Sequence, residues 1–179
     1  MVMILTGCGK HEITPLAAAA RTGDIAAIRS LIRGGAAPNE GSGVNGWTPL
    51  MHAIHKRQAA AAFALVEEGA DANLACCGTT ALAMAAGYGQ AEIVRGLLQR
   101  GANPRQKLSG GRTALDYAIS GVVDIDNVTL GKCQATTVSA ILEWVPDLPA
   151  VDRPGVLARL RGGCPEVERL LRSRAVAKR

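Results

Sequence analysis

Apolar residues recur along this chain at intervals of three and four, which is the period of an amphipathic α-helix. Segment 25–32 has isoleucine or leucine at its first, fourth, seventh and eighth positions, and segment 91–98 has Ala, Val, Leu and Leu at the same four. Shorter alanine-rich runs, 16–20 and 81–86, come before these segments. The pattern therefore predicts pairs of helices, each pair made of one short alanine-rich helix and one amphipathic helix.

The helix pairs repeat, and each repeat begins with a similar phrase. The phrases are Thr14-Pro15-Leu16, Thr48-Pro49-Leu50, Thr80-Ala81-Leu82 and Thr113-Ala114-Leu115. Successive threonines are 34, 32 and 33 residues apart, but in the first three units the distance from Thr to a closing Gly-Ala is always 21. The variation in length therefore lies between one unit's close and the next Thr, which predicts an exposed loop there and packed helices elsewhere.

The recurring residues have local physical reasons to be where they are. A threonine at the start of a helix accepts a hydrogen bond from an otherwise unpaired backbone N–H, and proline suits the first turn. Gly23 and Gly89 fit the left-handed residue that ends a first helix, and Gly35, Gly69 and Gly101 fit the end of a second. One such unit cannot bury its apolar face alone, so the units must stack.

These features together resemble the ankyrin repeat, which has a period of about 33 residues and a T-P-L-H-x-A signature. The phrase Gly69–Asn73 also matches the closing phrase of that family. Four positions depart from the family pattern: Ala17, Met51, Arg57 and Arg105. The resemblance implies an all-α solenoid of stacked helix–turn–helix units joined by hairpin loops.

The chain divides by this pattern into three parts. Residues 1–12 form an N-terminal segment, 13–145 four repeats, and 146–179 a linker and a degenerate helical capping repeat with a basic tail. The predicted repeats are 13–45, 46–77, 78–110 and 111–145, with an insertion near 121–132 in the last. Val167, Leu170 and Leu171 in the capping repeat have the spacing of Val94, Leu97 and Leu98. An open-ended stack needs such a polar cap.

Composition agrees with helices and argues against nucleic acid as a partner. Hydrophobic residues make up 48% of the 179, and only five are aromatic, so the core must consist of Ala, Leu, Ile and Val. The net charge is +5, but residues 153–179 alone carry +6 and the rest of the chain −1. A nucleic-acid-binding domain would instead have positive charge along a face of the fold. A solubilising helix end explains the tail best, and contact with nucleic acid or a membrane stays open as an alternative.

The N-terminus contains a second resemblance. Leu5-Thr6-Gly7-Cys8 resembles the lipobox of bacterial lipoproteins, in which the cysteine is lipidated after signal cleavage. Residues 1–5 lack the basic residues and the length of a complete signal, so an upstream start, trimming and a chance match all stay open. If Cys8 is lipidated, we expect a bacterial protein in the periplasm or anchored to a membrane; otherwise, we expect it in the cytoplasm.

The other four cysteines do not decide the compartment. Cys76 and Cys77 are adjacent in a predicted hairpin, and Cys133 and Cys164 lie in the C-terminal part. An oxidising compartment would permit a Cys133–Cys164 bridge, and four thiols are equally ordinary in the cytoplasm. The cysteines have no spacing that suggests zinc.

No arrangement of residues supports catalysis, so we expect neither an enzyme nor a cofactor. His52 and His55 lie three apart on one predicted helix, where two histidines can share a metal ion. No third ligand completes the site, and ordinary surface or groove side chains explain the pair better. A protein that binds a metal or small ligand through His52 and His55 stays open as the alternative function.

The resemblance implies a protein-interaction module, such as a scaffold, an inhibitor or a protective partner, and we expect a monomer. In the family, loop tips and first helices line a concave face that binds other proteins. Transferred by position, that face comprises Ile13, Arg21, Asn45, Trp47, His52, His55, Lys56, Cys77, Thr79, Tyr88 and Arg112. Trp47 and Tyr88 are the expected anchors, because large amphipathic rings dominate binding energy at interfaces. Alternatively, Trp47 packs over its own loop.

Overall fold

The computed structural model describes residues 12–121, 134–145 and 164–176, and these ranges contain nine α-helices. The helices of the first two units are α1 (Pro15–Thr22), α2 (Ile25–Arg33), α3 (Pro49–His55) and α4 (Ala59–Glu67). The later helices are α5 (Ala81–Gly87), α6 (Ala91–Gln99), α7 (Ala114–Ser120), α8 (Ala135–Trp144) and α9 (Pro165–Val176). None of the helices in the described ranges is long and apolar enough to cross a membrane.

The helices form two layers that follow chain order. The first helices α1, α3, α5 and α7 pack side by side in one layer, and the second helices α2, α4, α6 and α8 form the other. Each first helix also packs on the second helix of its own unit, and α9 packs on α8. The predicted all-α solenoid of stacked two-helix units is confirmed.

The opening threonines cap the first helices as predicted. Thr14, Thr48 and Thr80 each accept a hydrogen bond at Oγ1 from the backbone N–H three residues on, at 3.2, 3.3 and 3.3 Å. The fourth unit differs, because Asp116 Oδ2 accepts hydrogen bonds from both the backbone N–H and the hydroxyl of Thr113, at 2.7 and 2.9 Å. Each cap satisfies polar groups that the helix itself leaves unpaired.

The leucine of each opening phrase anchors its unit in the core. Leu16, Leu50, Leu82 and Leu115 are 3%, 1%, 1% and 0% exposed. Burial of one leucine side chain stabilises the fold by about 1.5–3 kcal/mol. The opening phrase therefore combines the cap that starts the helix with the side chain that attaches it to the stack.

Asparagine side chains connect the closing phrases of successive units. Asn39 Oδ1 accepts a hydrogen bond from the backbone N–H of Asp71 at 2.8 Å, and Asn73 Oδ1 accepts one from Asn103 at 2.7 Å. The third unit has Arg105 at the equivalent position. An arginine side chain has no acceptor atom, so it cannot continue this row.

Several predicted features lie largely or wholly outside the described residues. The insertion near 121–132 and the first helix of the capping repeat, around 156–158, are among them. Cys164 is buried and disulfide-bonded, and Cys133, with which an oxidising compartment would permit a bridge, lies outside the described residues.

A left-handed residue ends the first helix in each of the first three units. Gly23 and Gly89 have φ angles of 80° and 71°, as predicted, and Arg57 occupies the equivalent position with a φ of 59°. A Cβ atom makes this conformation unfavourable, by about 1–2 kcal/mol for an L-residue. Arg57 is therefore a strained residue in an otherwise relaxed turn.

We expect Arg57→Gly to raise the free energy of unfolding by about 0.5–1 kcal/mol, because glycine relieves the strain but enlarges the entropy of the unfolded chain. Urea unfolding would measure the change. Arg57→Ala is the matched control, since it removes the charge and keeps the Cβ atom. Equal stabilisation by both variants would assign the effect to charge and not to the backbone.

Candidate protein-binding surface

Three hairpin loops come directly before the capping threonines of units two, three and four. Backbone hydrogen bonds close them: Ser42 N–H donates to the carbonyl of Trp47 at 2.9 Å, and Leu108 N–H donates to Arg112 at 2.7 Å. Cys76 and Thr79 exchange two such bonds, at 2.9 and 3.0 Å. We call residues 42–47, 76–79 and 108–112 the hairpin row.

Neighbouring hairpins are also tied to one another. The Cys76 thiol donates to the carbonyl of Gly46, and the Cys77 thiol donates to the carbonyl of Asn45, each at 2.8 Å. The third hairpin meets the second near Gly78, where a Cβ atom would approach the Ser109 hydroxyl to 2.9 Å. The loops therefore make one continuous surface across the units.

A cluster of rings lies behind the first two hairpins. The Trp47 ring packs edge-on against His52 and His55 at centroid distances of 5.7 and 5.0 Å. His55 in turn lies 6.0 Å from the ring of Tyr88 in the next unit. Trp47 is only partly exposed and packs against the core, so its ring holds the first hairpin against α3.

His52 is the polar link between this cluster and the first hairpin. It is 3% exposed, and its Nε2–H donates to the carbonyl of Ser42 at 3.2 Å. Burial holds the pKa of His52 below the ordinary histidine value of 6.5, and the positive charges of Arg21 and Lys56 lower it further, as does His55. The hydrogen bond to Ser42 opposes the decrease in pKa only in part. His52 is therefore neutral at neutral pH.

The structure divides the eleven predicted contact residues into three groups. The exposed residues are Ile13, Asn45 and Cys77. The partly buried residues are Arg21, Trp47, Lys56, Thr79 and Arg112. The buried residues are His52, His55 and Tyr88, at 3%, 6% and 4% exposure. These last three differ from our expectation, because rings so deeply buried support the surface from beneath and do not present an anchor to a partner.

The most exposed apolar residue of this surface is one that the sequence pattern does not indicate. Val44 is 87% exposed at the tip of the first hairpin, between Gly43 and Asn45. The one signal in the sequence for this exposed position is a single β-branched residue within a glycine-rich loop. Gly43, the residue before Val44, lies close to the side chain of Ile13, which is 39% exposed.

The histidine pair does not belong to a larger set of metal-binding side chains in the described part of the chain. His52 Nε2 is engaged by the Ser42 carbonyl, as above. The described residues contain no group of three or more His, Cys, Asp or Glu side chains that could hold a metal ion. Cys8, the predicted lipidation site, lies outside the described residues.

A family model described as ankyrin repeats (3 copies) matches residues 1–76 and 60–130. The chain belongs to the ankyrin-repeat family. None of the curated proteins shows significant similarity to it. Ankyrin repeats generally mediate protein–protein interaction and are typically non-catalytic, which agrees with the interaction module predicted from the sequence.

We expect the free energy of unfolding of this ankyrin-repeat protein to decrease as the pH falls below about 6.5. The unfolded chain protonates His52 near that pH, but the folded chain does so only at lower pH, so acid favours unfolding. His52→Gln keeps an N–H donor near the Nε2 position and cannot titrate, so its stability should depend less on pH. Urea unfolding between pH 7.5 and 5 measures the difference.

The matched control for that experiment is His11→Gln, which removes a histidine outside the described residues. It removes one imidazole and leaves His52 in place, so it separates the effect of His52 from the loss of any one histidine. If the His52→Gln and wild-type curves are parallel, His52 is not the group responsible.

Proposed function

We propose that this protein is a non-catalytic adaptor that binds a partner protein through the hairpin row and the adjoining ends of the first helices. The observation that carries the proposal is the hydrogen-bonded row of hairpins with an apolar tip. Val44 and Ile13 supply the exposed apolar area, and hydrogen bonds from Cys76 and Cys77 fix the loop beside them. A preordered surface loses little entropy when it binds.

The charge beside this tip favours an acidic partner. Arg21 and Lys56 both lie close enough to His52 to lower its pKa, which places them beside the first hairpin. Arg112 in the third hairpin stacks on the ring of Tyr117, with 3.9 Å between the guanidinium carbon and the ring centroid. Basic side chains around an apolar centre select a partner with acidic groups around an apolar anchor.

Trp47 has a supporting role in this proposal. Its ring packs on His52 and His55 and holds the first hairpin in position, which supports the alternative in which it packs over its own loop. Substitution of Trp47 or Tyr88 by alanine would remove buried ring contacts and destabilise the fold. Variants at exposed residues are therefore the better test of binding.

Four finer predictions accompany the proposal. The protein acts on its partner as a scaffold, an inhibitor or a protective partner. The adaptor itself is a monomer. If Cys8 is lipidated, we expect the protein in the bacterial periplasm or on a membrane. If Cys8 is not lipidated, we expect the protein in the cytoplasm. The basic residues after Pro165 act as a solubilising end.

We expect the double variant Arg21→Glu/Val44→Asp to reduce partner binding at least tenfold, because it removes an apolar contact and reverses a charge beside it. The measurement is quantitative recovery of partners from the native host on immobilised protein, followed by calorimetry with the partner that is recovered. Val44 is largely exposed, and circular dichroism would confirm that the double variant folds.

Glu92→Lys is the matched control, since Glu92 is exposed on α6 in the layer of second helices. It should bind the partner as the wild type does. Loss of binding in the Glu92→Lys variant together with normal binding by the double variant would move the interface to the opposite layer and refute the proposal.

A further inference from the structure

The second hairpin brings two adjacent cysteine sulfurs together at an accessible place. The Sγ atoms of Cys76 and Cys77 are 3.5 Å apart, and Cys77 is exposed. Adjacent residues of an extended strand point to opposite faces. Here Cys77 and Gly78 have φ angles of 53° and 79°, and positive φ at both central residues is the mark of a type I′ hairpin turn. The turn therefore places both thiols on one side.

The distance between the sulfurs limits the chemistry that the pair can perform. A disulfide needs an S–S bond of about 2.05 Å and usually about 4.4–6.8 Å between Cα atoms, but adjacent Cα atoms are only about 3.8 Å apart. A disulfide between Cys76 and Cys77 would therefore be strained. A linear centre between two thiolates would need about 4.6 Å between sulfurs, twice a metal–sulfur bond of about 2.3 Å.

A separation of 3.5 Å instead suits a centre with a bent arrangement of ligands. With two bonds of about 2.3 Å, it corresponds to an angle of about 100° at the central atom. Pyramidal and tetrahedral centres have angles of about this size. Thiolates are soft ligands, so the central atom should be soft as well.

The number of ligands decides between these centres. Structural zinc needs four protein ligands, and no described group of three or more His, Cys, Asp or Glu side chains supplies them. A pyramidal centre that carries one substituent of its own needs only two sulfurs from the protein. Trivalent arsenic with one organic substituent is such a centre.

We propose that Cys76 and Cys77 form a dithiol site for monosubstituted trivalent arsenicals. The arsenic–oxygen double bond of the oxide breaks and two arsenic–sulfur bonds form, while the two thiol protons leave with the oxygen as one water. Arsenic stays trivalent, so the step needs no oxidant or reductant. Binding also removes the thiol protons that Cys76 and Cys77 donate to the carbonyls of Gly46 and Asn45.

The test uses phenylarsine oxide and the full-length chain. Intact mass spectrometry should show one phenylarsenic group per chain, with the loss of two hydrogens. The adduct should survive excess glutathione, a monothiol, and dissociate with 2,3-dimercaptopropanol, a dithiol, because two linked thiols act at a high effective concentration. The amide resonances of residues 45–47 should shift when the adduct forms.

Cys76→Ser and Cys77→Gly each leave one thiol of the pair. Glycine fits the positive φ of residue 77, so the second variant should fold even if the first does not. Glutathione should remove phenylarsenic from either variant about 10²–10⁴ times more readily than from the wild type. Cys8→Ser is the control and should keep the resistant adduct. The site would be refuted if the adduct on Cys77→Gly resisted glutathione. It would also be refuted if glutathione removed the adduct from the wild type.

Discussion

A two-helix unit has apolar faces that only a neighbouring unit can cover, and alanine sets how closely the neighbour approaches. Ala19, Ala53, Ala85 and Ala118 occupy the same place in four successive first helices, and all four are buried. A methyl group there lets the helix backbones pack closely, which brings the opening leucines of adjacent units into contact with the same core. The chain therefore gains its stability from many similar contacts between neighbours, as expected of a solenoid.

Polar side chains align the units that apolar packing brings together. Gln90 Nε2–H donates to the carbonyl of Ile54 in the unit before it at 2.8 Å, in a buried position. On the exposed side, Asn73 joins the second closing phrase to the third. Apolar contact alone has no direction, whereas a hydrogen bond fixes one register between two units. Such bonds place the hairpins in a row and so connect the packing of the helices to the surface that we propose for binding.

The sequence predicted most of the fold because its signals are local. Thr48 caps a helix that starts one residue later, and Gly89 ends one by its own backbone conformation. The candidate surface was harder to predict, since exposure depends on neighbours in space. Tyr88 is buried in the core, where one of the rings beside it is that of His55 in the previous unit, and no spacing in the sequence reveals that contact. Val44 is exposed for the opposite reason, because it lies in a turn where little else packs on it.

The hairpins differ in length, whereas the equivalent helices of the four units differ by one residue at most. Four residues separate the bridged pair Ser42 and Trp47, but only two separate the bridged pair Cys76 and Thr79. Each loop nevertheless leads into a threonine that caps the next first helix. A loop that begins and ends at fixed points can be exchanged without a change in the helices on either side. New specificities can therefore evolve, or be engineered, by replacing one loop at a time while the scaffold stays intact.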